Sequence, residues 1–322
     1  MQDNLNSKYK SIVDFLQMSS EIYFNETGIK VKIEIVNDFS FNARVSKIEE
    51  KVYKIEIRHG CLCLENLIEN ITNRYTEDDL KSFWRFRKLN IFEKNAGDTY
   101  REELNQLFGS IILLHIFFHE CGHITAKYID KENGTYAEMQ PSDNGGYEKQ
   151  EQEMVADWLS TKFLYKSMFF ATIGTDKIDF EELLSILEQL TILYWLSLTI
   201  EFQIFDSVHT GDVPDYSLLT HPHPAVRLYY SLDAMQECIL DIFNIYGFDD
   251  MQAEYGVEYI VNNIYILIES YLQITETPIS IKKDDPQIMD CYITLRDVPY
   301  CSKVKDNYFH LIELPKEYRN IS

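Results

Sequence analysis

Apolar and polar residues alternate along two early stretches, GIKVKIEIVND at 28–38 and KVYKIEIRHG at 51–60. A period of two with β-branched residues predicts strands. ENLIENITNRY at 65–75 and EDDLKSFWRFRKLNIF at 77–92 read as helices, with EKNAGD at 93–98 a polar break after them. From about Tyr100 the pattern changes to long helical segments, at about 101–128, 148–170, 179–206, after THPHP at 220–224, and 254–273. A polar loop with Gly134, Pro141, Gly145 and Gly146 separates the first two, and TGDVP at 210–214 follows the third. The tail from about 278 is punctuated by proline and predicts no element. Strands first and helices after predict an α+β fold, with a small mixed sheet packed on a mainly helical core. The expected organisation is an α+β region over 1–98, a helical core over 99–245 and a helical or irregular extension over 246–322.

The most apolar run outside the first long helix is LLSILEQLTILYWLSLTIEFQIF at 183–205. Glu188, Gln189, Glu201 and Gln203 interrupt it, and two carboxylates are expensive in lipid. It reads as a buried helix of a soluble protein, and no membrane partner is expected.

The chain has 322 residues, 45% of them hydrophobic and 14% aromatic, which is ample for a substantial core. Its net charge is -22, from 52 acidic and 30 basic side chains. Such a surface repels phosphate backbones, so no nucleic-acid partner is expected. Six cysteines form no tight framework, and MQDNLNSKYKSIVDF lacks the zones of a secretory signal. A cytoplasmic location with free thiols is the expectation. CLC at 61–63 has no neighbouring ligands to complete a metal site and reads as structural.

The chemistry is concentrated in LLHIFFHECGHITAKYI at 113–129, where His115, His119 and His123 are spaced four apart. Residues four apart share one helix face, so His119 and His123 can converge on one ion. Glu120 lies between them, giving H-E-x-x-H, in which the glutamate serves as general base beside a zinc ion. The apolar run FGSIILLHIFF carries these polar groups into the interior, where they need a partner. His115 reads as a core histidine or a support for its neighbours. Cys121 points off the ligand face and reads as a small apolar residue.

A third ligand is available in EQEMVADWLS, where Glu153 is followed four residues later by Asp157 on one helix face. Glu153 is the candidate ligand, and Asp157 the candidate acceptor for the free nitrogen of a ligand histidine. In THPHPAVR at 220–227, His221, His223 and Arg227 are candidates to stabilise a developing oxyanion.

With these motifs the chain resembles the glutamate-zincin metallopeptidases, which pair an H-E-x-x-H helix with a later helix bearing glutamate and, four residues on, aspartate. EMVAD and the later His221-Pro222 with Arg227 resemble the HtpX and CaaX-endopeptidase branch. Lit-type phage-exclusion peptidases are a second resemblance, favoured by solubility. The likeness covers about 100–230. It implies one zinc ion per chain held by His119, His123 and Glu153, with Glu120, His221, His223 and Arg227 as catalytic residues. It implies a protein or peptide substrate, narrow specificity, and a triggering peptide or protein. It also implies a zincin-like sheet beside the motif helix, whose edge strand binds extended substrate; VYKIEIRHG at 52–60 is the candidate edge. Two other readings stand beside it. One is a regulatory ImmA-like peptidase that cuts a repressor, and the other is a non-enzymatic protein stapled by zinc, which requires a fourth protein ligand.

Overall fold

The computed structural model describes residues 9–25, 28–64, 68–69, 73, 81–92, 99–126, 135–137, 147–173, 178–208 and 221–275. The polar break at 93–98, the loop of Gly134, Pro141, Gly145 and Gly146, the TGDVP loop and the tail with Cys291 and Cys301 lie outside these residues. So does most of the helix expected over 65–75.

The element order is α1 (Lys10–Phe24), β1 (Lys30–Val36), β2 (Ala43–Glu49), β3 (Val52–Arg58), α2 (Tyr100–Thr125), β4 (Thr135–Ala137), α3 (Tyr147–Ile173), α4 (Phe180–Val208), α5 (Pro224–Ile245) and α6 (Asp250–Thr275). A small mixed sheet and a helical majority make this an α+β fold, as the element order in the sequence predicts. The expected strands at 28–38 and 51–60 are β1 and β3. Helix α1, β2 and β4 are additions. In β2 the core takes Ala43 and Val45, while Ile48 is 48% exposed at a bulge, so little apolar alternation survives in the sequence.

The sheet order is β1-β3-β2-β4. Strand β3 runs parallel to β1 and antiparallel to β2, and β4 pairs with the far side of β2. This overturns the edge role expected of residues 52–60: β3 has a neighbour on each side, so its backbone groups are spent within the sheet. Val31, Ile35, Ala43, Val45, Tyr53, Ile55 and Ile57 are buried on one face. The other face carries an ion-pair ladder in which Arg44 and Lys54 both meet Glu56, and Lys54 Nζ lies 3.5 Å from Glu34. Helix α1 packs along β1, and α2 lies against β2 and β3.

Residues 82–89 form a 3₁₀ helix instead of the α-helix expected over 77–92. The buried side chains Phe83, Phe86 and Leu89 recur every three residues, which is the 3₁₀ repeat.

Helix α2 is the axis of the molecule. Thr99 accepts from the Glu102 backbone and the Glu102 side chain returns to the Thr99 N–H, a capping box. From Leu107 to Thr125 every residue is buried, because the sheet, α3, α4 and the 3₁₀ segment surround the helix. Most of the buried apolar residues form one cluster running from Ile12 to Ile264, drawn from all three expected segments. Among the described residues two helices, Tyr100–Thr125 and Phe180–Phe202, are long and apolar enough to cross a membrane by composition; their apolar windows are 100% and 72% buried within the fold.

Helices α2 and α3 approach closely in the core. A Cβ at Gly122 would stand 2.8 Å from Ala156 Cα and 2.9 Å from its carbonyl oxygen. Glycine and alanine in these places let the two helix backbones nearly touch. Replacing Gly122 with alanine is expected to destabilise the protein by about 1–3 kcal/mol, despite alanine's better helix propensity, because backbone must shift. The thermal midpoint should fall; an unchanged midpoint would refute the tight contact.

Candidate metal centre

The contact between Gly122 and Ala156 sets the two motif helices in register. His119 and His123 lie one turn apart on α2. Glu153 and Asp157 lie one turn apart on α3, on either side of Ala156. Across the contact, His119 Nε2 is 3.1 Å from His123 Nε2 and 3.2 Å from Glu153 Oε2. His123 Nε2 is 3.6 Å from Glu153 Oε1. Three ligands of a tetrahedral zinc ion, at bond lengths of 2.0–2.1 Å, stand about 3.4 Å from one another. The two nitrogens and the two Glu153 oxygens lie near that spacing, and one ligand atom from each of the three residues lies within 4.8 Å of the others. Among the described residues this is the one cluster suited to a metal ion.

The rest of the arrangement fits the same ion. His119 Nδ1 is 2.8 Å from Asp157 Oδ1, which turns Nε2 and its lone pair towards Glu153 and His123. Asp157 is held in turn by Arg227, whose Nε lies 2.7 Å from Oδ2 and Nη2 2.8 Å from Oδ1. All these side chains are buried, and neither Glu153 oxygen has a hydrogen-bond partner of good geometry among the described residues. Without a metal, His119 keeps a proton between its ring and Glu153; once that proton leaves, a buried carboxylate facing two imidazole lone pairs is unfavourable until a cation takes its place. Two imidazoles and one carboxylate form a donor set used by several metal ions, zinc and iron among them.

Burial and charge act in opposite directions here. Burial alone would lower the pKa of His119, but Asp157 and then Glu153 outweigh it and hold the imidazole well above 6.5. His123 follows burial and is pushed down to about 3. Burial would raise Glu153, but His221, His123 and His119 bring it down to about 2. Burial would likewise raise Asp157, but Arg227 and His119 keep it far below the usual carboxylate range.

The remaining candidates fall into different places. Glu120 is fully buried beside His119. His221 reaches the centre: its Nε2 is 3.9 Å from Glu153 Oε1, and its side chain is 13% exposed. His223 instead caps α5, its Nδ1 accepting the backbone N–H of Ala225 at 3.1 Å. Its expected oxyanion role is replaced, for that nitrogen, by helix capping. Arg227 is committed through two of its donors to Asp157, which places it behind His119. His115 pairs with Glu201, Nδ1 lying 3.0 and 2.9 Å from the two carboxylate oxygens. Sequence reasoning missed Glu201 as a partner, although a glutamate within an apolar helix was a signal for one. Cys121 is buried, and burial pushes its thiol up. Cys61 and Cys63 carry no disulfide.

No family model matches the chain, and neither curated proteins nor solved structures give a match.

Asp157→Ala should destabilise the protein by about 3–5 kcal/mol, because Arg227 is left as a buried cation without its carboxylate. Chemical denaturation checks this, and a loss under about 1 kcal/mol would contradict the buried pair. The metal-free protein should also lose stability as pH falls. Between 6.5 and about 3 the unfolded chain protonates His123 while the folded chain does not. Glu153 adds a loss between 4.5 and about 2. His119 works oppositely: its contribution is complete below 6.5 and disappears as pH rises through its raised value. Thermal midpoints of chelator-treated protein against pH should decline on the acid side from near neutrality.

Proposed function

We propose that the protein is a zinc-dependent endopeptidase of the glutamate-zincin kind, acting in the cytoplasm on a protein substrate. The observation that carries this reading is the convergence of His119, His123 and Glu153, with Asp157 holding His119 from behind. These three side chains would hold the ion. When bound, zinc supplies Lewis acidity, lowering the pKa of water and polarising a carbonyl. Glu120 takes the proton of the attacking water and delivers it to the leaving amine. His221, at the partly exposed rim, donates to the developing oxyanion. Asp157 and Arg227 keep His119 in one tautomer throughout. Narrow specificity and a trigger, as in phage exclusion, belong to the same proposal and rest on the motif resemblance alone.

Purified protein should carry one zinc per chain. Glu120→Gln should keep that metal and lower peptide cleavage by about 10²–10⁴-fold. A comparison of new protein N-termini made in cells by wild type and by Glu120→Gln would reveal the substrate. Cleavage at the wild-type rate in Glu120→Gln would end the mechanism.

One observation favours a second reading. The ligands are 0–2% exposed, and the His221 ring is close enough to approach as a fourth ligand. Four protein ligands would make the zinc a structural staple. His221→Ala separates the two: the peptidase keeps its zinc and loses turnover, whereas the staple loses its zinc.

A further inference from the structure

Helix α4 carries none of the motifs, yet two consecutive side chains near its end reach the supports of the metal centre. Glu201 accepts from His115 Nδ1 with both oxygens, at 3.0 and 2.9 Å. That bond ties α4 to α2 one turn before His119. The next side chain, Phe202, is fully buried. Its ring centroid lies 4.5 Å from the guanidinium carbon of Arg227. Its ring also meets the ring of His115 edge to face, at 6.1 Å and 90°. Arg227 holds both oxygens of Asp157, and Asp157 holds His119 Nδ1. A line of direct contacts therefore runs from Phe202 through Arg227 and Asp157 to a metal ligand.

Arg227 is a cation only 3% exposed. An aromatic face attracts a guanidinium, and more strongly where water is excluded. A flat ring also restricts the plane in which the guanidinium lies, and that plane decides whether both of its N–H groups meet Asp157. We propose that Phe202 is a positioning residue of the metal centre: its ring sets the plane of Arg227, so that Asp157 keeps His119 Nε2 aimed at the ion. This rests on the metal reading above. An aliphatic side chain of similar size would fill the same space but present no π face.

The test measures zinc affinity by competition with a chromophoric chelator, alongside thermal stability, for the full chain. Phe202→Met and Phe202→Leu are compared with Phe243→Leu. Phe243 is equally buried but packs against Phe180 and Phe248, away from Arg227. The Phe202 variants should bind zinc about tenfold more weakly than wild type, at the lower end of the effect of losing a group behind a ligand. Phe243→Leu should lose stability and keep its affinity. If Phe202→Leu does not fold, Phe202→Met, with its adaptable side chain, carries the comparison. Wild-type affinity in a folded Phe202 variant overturns the proposal, and so does an equal loss in Phe243→Leu, which would reduce Phe202 to packing. A wild-type protein that binds no zinc overturns the metal reading itself, and the proposal with it.

Discussion

The contact of Gly122 with Ala156 is the constraint on which the centre depends. Each residue sits inside a motif, between the two histidines in one case and between the two carboxylates in the other. Neither is among the side chains that could hold an ion. Together they remove the side chains that would hold the α2 and α3 backbones apart. Helices normally pack 8–10 Å apart, depending on the residues at the crossing. A glutamate side chain is short, and only a close crossing lets Glu153 meet both imidazoles. The spacing within each motif places the donors along a helix, and the small residues let one helix reach the other.

Burial then decides what the polar groups must do. His115, His119, Glu120, His123, Glu153, Asp157, Glu201 and Arg227 all lie in the core. Charges there persist only when paired. Arg227 pairs with Asp157 and Asp157 with His119, while His115 and Glu201 form a separate pair. Glu153 faces the imidazoles of His119 and His123, and this buried group could hold a metal ion. The same logic explains the glutamate in the apolar helix α4. Glu201 is an internal partner of a histidine, matched across 86 residues of chain.

Legibility differed by element. The long helices declared themselves by length and periodicity, and their bounds fall close to the expected ones. The strands β1 and β3 alternate in sequence because both have one apolar face in the core and one charged face outside. Strand β2 has too few apolar residues to alternate, and β4 is only three residues long. The segment at 82–89 is apolar at every third position, a spacing that a helical reading absorbs without separating 3₁₀ from α.

By itself the sequence determined which side chains share a turn: His119 with His123, and Glu153 with Asp157. That follows from 3.6 residues per turn and holds in any helix. For the histidines it also determined, through the apolar run around them, that they would be buried. Only the tertiary structure decided their partners. It placed β3 inside the sheet, gave the Nδ1 of His223 to a helix cap, and set Arg227 behind Asp157. Local periodicity is a property of the backbone and can be read along the chain. Which residue stands opposite another depends on how closely two helices cross, and at Gly122 and Ala156 that depends on side chains that are not there.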